Sequence, residues 1–389
     1  MEGSQGSQGS TSHVRHDYDT KWPAYSLAWS CRPEAGFRFA VGSCIEETKN
    51  FIQIVELNEE KSTLECVAET EHSFPPTKLL WRPDNGSDSG KQDLLASSTT
   101  TLNLWKVEDG QMKCVAKLAN TRAQKQSTNL PPLTSFDWSS VSHHKLGASS
   151  VDTTCTIWNL EKQKIETQLI AHDKAVYDIA FSHVDSLFAS VGADGSVRVF
   201  DQRNLDHSTI IYESSPPSPL LRLAWNKINT NHIATIAMDA PGVNLIDIRR
   251  PSVALAALSY NDSCVNSITW APHSRNHLLC GTDDGFGIVW DTAEAPAKLD
   301  SPLLAYDCGS EVYQAQWPAS QPDYVALGMA HQVRVLQVWW IWWMFLWMLF
   351  LCWTSTICAA GQFVKHVSHC CSTIEQHVVS VQADAGTDP

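Results

Sequence analysis

Residues 188–203 read FASVGADGSVRVFDQR and contain most of what is needed to predict the fold. Two apolar runs flank the dipeptide Asp194-Gly195. Val and Phe are enriched in β-strands, and Asp-Gly between two such runs favours a tight hairpin turn. The second run ends in an aromatic residue followed by an acid, Phe200-Asp201. The segment therefore predicts a β-hairpin, and the rest of the chain can be searched for copies of it.

Copies recur along the chain in two series, and the second follows the first at a nearly constant spacing. In the first series an aromatic residue closes a short apolar run at Trp29, Trp81, Trp138, Phe181, Trp225, Trp270 and Trp317. In the second series another apolar run follows 19 to 26 residues later, at Val55, Trp105, Trp158, Phe200, Ile246, Trp290 and Leu336. A third run lies between them, and a fourth fits in the remaining length. Four strands in a unit of about 40–45 residues are typical of a β-propeller blade. The sequence predicts an all-β, seven-bladed propeller over residues 14–338.

The two ends of the chain lie outside the repeats. Residues 1–13, rich in Gly, Ser and Gln, predict a disordered leader. The seventh unit ends at Val338 after three strands, and an open sheet edge would be a liability in a ring. We therefore expect residues 13–21 to supply the outer strand of the last blade.

Certain polar residues recur in the repeats and predict a structural network within the blades. Asp194, Asp152 and Asp284 each lie six residues before the aromatic of the second series. A His before the first strand can pair with such an Asp, and a Ser can connect that His to the aromatic residue. Buried polar groups that lose such partners cost about 1–3 kcal/mol each. The predicted network residues are His172, Ser190, Asp194, Asp152, Trp158, Asp284 and Trp290.

Catalytic and cofactor-binding motifs are missing from the sequence. It contains no G-x-S-x-G, P-loop, G-x-G-x-x-G or H-E-x-x-H pattern. We expect neither a catalytic residue nor a cofactor or metal site, and therefore no enzyme. A propeller enzyme with polar residues converging in the central channel is the remote alternative.

Charge and cysteine usage restrict the partners and the compartment. The formal net charge of −14 argues against direct binding of nucleic acid. The twelve Cys are scattered, and the N-terminus has no apolar signal sequence. Both features favour a reducing compartment, so we expect the protein in the cytoplasm and the nucleus.

Residues 18–338 resemble one particular group of WD-repeat proteins. The dipeptides IW, FD and WD close several third strands, and the likeness extends to TQLIAHDKAVYDIAFS (167–182) and VNSITWAPHS (265–274). The group is the transparent-testa-glabra-type scaffold of plants with its animal counterpart, a cullin 4 ligase-associated, kinase-binding WD protein. The resemblance implies a non-catalytic adaptor that assembles MYB and bHLH transcription regulators or protein kinases. The alternative is a substrate receptor of a cullin 4 RING ubiquitin ligase.

Two D-x-R boxes bear on the ligase alternative. FDQR (200–203) and IDIR (246–249) place Asp201 before Arg203 and Asp247 before Arg249 in adjacent units. Such boxes look like those with which WD proteins dock on the cullin 4 adaptor, and a guanidinium can form two hydrogen bonds at an interface. Under the other interpretation each Arg forms only an internal pair with its Asp.

The segment after Val338 departs from the resembled group. Residues 339–353, WWIWWMFLWMLFLCW, contain six Trp, and 335–364 contain no acidic or basic residue. Three interpretations of the tail, 339–389, are open: translated intron sequence, a membrane helix over 338–360, or a hydrophobic partner-binding tail. A membrane helix would anchor the protein there, at a length that suits a bilayer.

Overall fold

The computed structural model describes residues 15–32, 35–46, 49–83, 93–108, 110–119, 130–184, 186–296, 299 and 301–338. Within these ranges the chain forms 28 β-strands and no helix. The first strand, β1, is Arg15–Asp19. Blade 1 has β2 (Ala24–Trp29), β3 (Arg38–Ser43), β4 (Asn50–Asn58) and β5 (Thr63–His72). Blade 2 has β6 (Leu79–Trp81), β7 (Leu94–Ser98), β8 (Thr101–Glu108) and β9 (Gln111–Ala119). Blade 3 has β10 (Leu133–Trp138), β11 (Lys145–Ser150), β12 (Thr154–Asn159) and β13 (Lys164–Ile170).

The remaining blades continue the same pattern. Blade 4 has β14 (Val176–Phe181), β15 (Leu187–Gly192), β16 (Ser196–Asp201) and β17 (Asn204–Glu213). Blade 5 has β18 (Leu220–Trp225), β19 (His232–Ala237), β20 (Val243–Asp247) and β21 (Ala254–Leu258). Blade 6 has β22 (Val265–Trp270), β23 (His277–Thr282), β24 (Phe286–Asp291) and β25 (Leu304–Asp307). Blade 7 has β26 (Val312–Gln316), β27 (Tyr324–Met329) and β28 (Gln332–Gln337).

The seven sheets form a ring, which confirms the predicted fold class. Each sheet is antiparallel, and we name its strands a to d from the inside outward. Strand a of each blade contacts the next blade, and β2 and β22 both contact β26, so the circle closes between blades 7 and 1. In blade 7 the place of strand d is taken by β1, which pairs with β28 from Arg15↔Leu336 to Asp19↔Gln332. The prediction that an N-terminal strand completes the last blade is confirmed.

The apolar core lies between neighbouring blades. One cluster joins Phe181, Phe188 and Phe200 of blade 4 to Cys155 and Ile157 of blade 3. Another joins the opposite side of blade 4 to blade 5. This arrangement follows from the sequence, because the two inner strands of each blade, a and b, place apolar residues on both faces of the sheet.

The antiparallel topology divides the loops between two ends of the ring. Strands a and c run in the same direction, so the a–b loops and the c–d turns lie at one end, which we call the a–b end. The b–c turns and the d–a connections lie at the other, the b–c end. At the b–c end of blade 4, Gly195 has φ +79°, as the tight Asp194-Gly195 turn requires.

Several predicted segments lie outside the described residues. These are the leader 1–13, the tail 339–389 and nearly all of the proposed span 338–360. In the described part of the chain no helix is long and apolar enough to cross a membrane.

Candidate functional site

The b–c end of blade 4 carries a chain of buried polar groups. His172, in the connection before β14, places Nδ1 2.9 Å from Oδ1 and 3.0 Å from Oδ2 of Asp194. Its Nε2 lies 2.8 Å from Oγ of Ser190 on β15. Because a carboxylate can only accept hydrogen bonds, Nδ1 of His172 carries a proton. The structure therefore brings together the three residues predicted for this blade.

The order of these groups, Ser–His–Asp, resembles that of a catalytic triad, but the groups are buried and a substrate could not reach them. Ser190 and His172 are almost completely buried between strands. Burial disfavours the charge on Asp194, but hydrogen bonds from His172 and Ser196 outweigh this effect and hold the pKa of the carboxyl below its usual range. Arg198 adds an ion pair, with Nη2 3.0 Å from Asp194 Oδ2. This arrangement fixes the turn to the preceding connection and offers no site for a substrate.

The other predicted network residues do not form the same chain of contacts. Asp152 accepts hydrogen bonds from the backbone N–H and the hydroxyl of Thr154, within its own turn. Trp158 is buried, and its Nε1 has no hydrogen-bond partner among the described atoms. Asp284 accepts a hydrogen bond from the Thr282 hydroxyl, and Trp290 is buried in the core between blades 5 and 6. In blades 3 and 6 the recurring Asp therefore caps its own turn.

Blade 2 contains a second network, which sequence reasoning missed. Trp105 Nε1 donates to Oγ of Ser97 at 2.9 Å, and Ser97 Oγ lies 2.9 Å from Nε2 of His72. Nδ1 of His72 lies 2.6 Å from the carbonyl of Phe74 and donates to it, while the amide Nδ2 of Asn103, which can only donate, lies 3.4 Å from Nε2. Nε2 is therefore the acceptor, and Ser97 donates to it. This pattern assigns a neutral imidazole, and burial lowers the pKa of His72 accordingly.

The strand register, and not the residue spacing, reveals the equivalence of the two networks. Trp105 lies opposite Leu95, and Ser97 follows Leu95 by two residues. Phe200 lies opposite Phe188, and Ser190 follows Phe188 by two residues. The b–c hairpin is two residues shorter in blade 2, so a search at a fixed distance before the aromatic misses Ser97. A register count would have found it.

The a–b end carries the two D-x-R boxes on neighbouring blades. Arg203 Nε lies 2.9 Å from Oδ1 of Asp201, and its Nη2 lies 2.5 Å from Oδ2. The hydrogen bonds from Arg203 lower the pKa of Asp201 to about 2. Arg249 repeats this geometry on Asp247, with Nε at 2.9 Å from Oδ1 and Nη2 at 2.6 Å from Oδ2.

Both arginines remain accessible despite these pairs. The side chain of Arg203 is 76% exposed and that of Arg249 is 64% exposed. The aspartates differ, because Asp201 is 31% exposed whereas Asp247 is 5% exposed. The internal pair predicted by one interpretation is present, and it holds each guanidinium at the surface.

The turns that carry the boxes are fixed to the a–b loops of the same blades. Gln202 N donates to Ser186 O at 2.7 Å, and Ile248 N donates to Asn231 O at 2.9 Å. Equivalent bonds occur in blades 3 and 6, where Leu160 N donates to His144 O and Thr292 N donates to Asn276 O. A backbone hydrogen bond between these segments makes the a–b end a preformed surface.

Comparisons with known proteins agree with the repeat architecture. The profile of the WD domain, G-beta repeat, matches residues 163–201 and 254–291. The chain is 46% identical over 323 residues to the DDB1- and CUL4-associated factor 7 homolog of Dictyostelium discoideum, covering 83% of this chain and 98% of that protein. It is 39% identical over 316 residues to an uncharacterized WD repeat-containing protein of Schizosaccharomyces pombe, covering 74% of this chain and 72% of that protein.

Proposed function

Because the chain belongs to the WD40-repeat family that includes the DDB1- and CUL4-associated factor 7 homolog, we propose that it is a non-catalytic protein-interaction adaptor that docks on DDB1 of a cullin 4 ubiquitin ligase. The observation that carries the docking is the pair of exposed arginines, Arg203 and Arg249, on adjacent blades of one end. The name of the relative supports the choice of partner.

The geometry suits an anchor at a protein interface. Each Arg is held by an Asp two residues before it, so part of the entropy of fixing a long side chain is lost before binding. A guanidinium fork can then form two hydrogen bonds to carboxylate or carbonyl oxygens of a partner. Arginine is enriched among the residues that dominate binding energy at interfaces.

The test is the binding of purified DDB1 to the purified chain and to the double variant Arg203→Ala, Arg249→Ala. We expect the double variant to bind at least about tenfold more weakly, as loss of two interface anchors implies. Arg15→Ala is a matched control, because Arg15 is exposed and paired with an Asp two residues away, on the outer strand β1. Equal affinities for the wild type and the double variant would contradict the docking proposal.

We further propose that the adaptor presents protein kinases or MYB and bHLH transcription regulators, in the cytoplasm and nucleus. The resemblance of residues 18–338 to kinase- and regulator-binding scaffolds supports this choice of partners. Cysteines outside any disulfide, at Cys44, Cys66, Cys114 and elsewhere in the described residues, fit a reducing compartment. Affinity purification from nuclear and cytoplasmic fractions, followed by mass spectrometry, tests both points. Recovery of neither class of partner from either fraction would contradict them.

A further inference from the structure

Three exposed apolar residues occupy one repeated position at the a–b end. Each lies three residues after the aromatic that ends strand a: Val141 after Trp138, Val184 after Phe181 and Ile228 after Trp225. Their exposures are 44%, 45% and 42%. The corresponding residues of blades 1, 6 and 7 are polar, namely Arg32, His273 and Ser320. Single exposed apolar residues are common on proteins, but here the same position is apolar and exposed on three consecutive blades.

Hydrogen bonds between the three a–b loops hold this row in place. Ser140 Oγ lies 3.0 Å from Nδ1 of His183, which joins the loops of blades 3 and 4. Lys227 Nζ donates to the carbonyl of Phe181 at 2.5 Å, which joins the loops of blades 4 and 5. The same ammonium lies 3.3 Å from Oδ2 of Asp137 in blade 3. We call the row Val141, Val184 and Ile228 the a–b stripe.

Backbone hydrogen bonds connect two loops of the stripe to the turns that carry the exposed arginines. Val184 lies two residues before Ser186, whose carbonyl accepts from Gln202, the residue before Arg203. Ile228 lies three residues before Asn231, whose carbonyl accepts from Ile248, the residue before Arg249. Apolar and cationic groups therefore share one surface across blades 4 and 5, and blade 3 extends the apolar part.

We propose that the a–b stripe is the apolar half of the surface that binds DDB1, and that DDB1 presents to it an apolar segment bordered by carboxylates. This inference rests on the proposed docking. Arg203 and Arg249 lie on turns bonded to the loops of the stripe. Carboxylates at the edge of the apolar segment of DDB1 would complement their charge. Interface centres are apolar with polar groups at the rim, and the stripe with its arginines has this composition. Burying the stripe removes apolar surface from water without reorganising the loops.

The experiment measures DDB1 affinity for the double variant Val184→Asp, Ile228→Asp. We expect binding at least about tenfold weaker than wild type, because two carboxylates in the stripe would lose hydration in the contact and repel the carboxylates that DDB1 presents. The matched control is Ile170→Asp with Ile210→Asp, which places the same charges on exposed apolar residues of strands d. If the first variant unfolds, Val184→Ser with Ile228→Ser replaces it, with an expected loss of about threefold to fivefold.

Salt separates the stripe from the arginines. At 1 M salt the Debye length falls to about 3 Å, so charge-dependent binding is screened. The residual affinity of the arginine variant is expected to change little with salt. Val184→Ser with Ile228→Ser, which keeps both arginines and adds no charge, is expected to keep a steep salt dependence.

Each outcome is decisive. Wild-type affinity of the stripe variants together with loss in the arginine variant would refute the stripe and leave the proposed function standing. No binding of DDB1 to the wild-type chain would refute both.

Discussion

Blade 4 holds two aspartates at opposite ends of its third strand, and their surroundings differ. Asp194, at the b–c end, pairs with His172 and Arg198, and only a small part of its side chain is exposed. Asp201, seven residues later at the a–b end, pairs with an arginine that is mostly exposed. The same type of contact therefore stabilises the blade at one end and orients a surface cation at the other. Burial of the carboxylate and its partner, and not the pairing itself, decides how much the contact contributes to stability.

Blades 2 and 4 provide a second comparison, between two incomplete forms of one network. Blade 4 has the carboxylate but ends in Phe200, which stacks on Phe188 with ring centroids 4.9 Å apart. Blade 2 has Trp105 as the terminal donor, but the imidazole of His72 contacts a backbone carbonyl where His172 contacts Asp194. A His–Ser pair is common to both blades, so this pair is the part of the network that the fold uses in two ways.

The largest expected loss of stability comes from replacing the buried Asp194. Asp194→Ala removes the carboxylate that contacts His172 and leaves Arg198 paired only with the exposed Asp173, and breaking a buried pair of this kind costs about 3 kcal/mol. Urea unfolding of the purified chain measures this loss. Asp201→Ala is the matched control at the other end of the strand, and its unfolding midpoint is expected to equal that of the wild type. Equal losses in both variants would show that burial does not distinguish the two ends.

Replacing the serine of the network is expected to cost more stability in blade 2 than in blade 4. Ser97→Ala removes both the acceptor of Trp105 and the donor to His72, so we expect a loss of about 2 kcal/mol. Ser190→Ala leaves Nε2 of His172 without its hydroxyl partner, but Phe200 has no donor to lose, so the expected loss is about 1 kcal/mol. Urea unfolding of both variants ranks them. A larger loss of stability for Ser190→Ala than for Ser97→Ala would contradict the role of Trp105 as an additional donor.

The sequence predicted the architecture because repeated patterns carry it. Alternating apolar residues, the Asp194-Gly195 turn and the missing outer strand of the last unit are local features, and each led to the element found. Asp152 and Asp284, predicted as network residues, lie instead in turns that they cap themselves. Their recurrence did not show what reaches each turn from the neighbouring connection. The backbone N–H of Asp284, for instance, donates to Oγ of Ser263, and no imidazole of the described residues contacts its carboxylate.

The proposed docking surface was only partly predictable from the sequence. D-x-R boxes are visible as letters, but the exposure of Arg203 depends on how the turn docks on its loop. Val184 and Ile228 read as ordinary apolar residues next to a core aromatic, and only the folded loops show that they face solvent. Ser97 was missed because the b–c hairpin of blade 2 is two residues shorter. His72 was missed because it lies 25 residues before its serine, whereas His172 lies 18 residues before Ser190.

The pH dependence of the free energy of unfolding distinguishes the two networks, because their groups titrate in different pH ranges. Burial lowers the pKa of His72, so its contribution to stability is present above the ordinary histidine value of about 6.5 and is lost as the pH falls below that value. The lowered pKa of Asp194 acts in a lower range, with stability lost as the pH falls below about 4. The free energy of unfolding of His72→Asn should fall less between pH 7.5 and 5.5 than that of the wild type. Parallel pH profiles would contradict the assignment of a neutral His72.

The smallest expected effects compare the two boxes themselves. Asp247 is nearly buried, so Asp247→Ala should lower the stability by about 1 kcal/mol, whereas Asp201→Ala should leave the unfolding midpoint unchanged. Both substitutions release an arginine from its fixed orientation, which should weaken DDB1 binding by about twofold to threefold through added side-chain entropy. Titration of DDB1 against both variants, with unfolding measured on the same samples, separates the two contributions. If Asp201→Ala bound as tightly as the wild type, the pair with Arg203 would be an internal contact without a role in presenting the guanidinium.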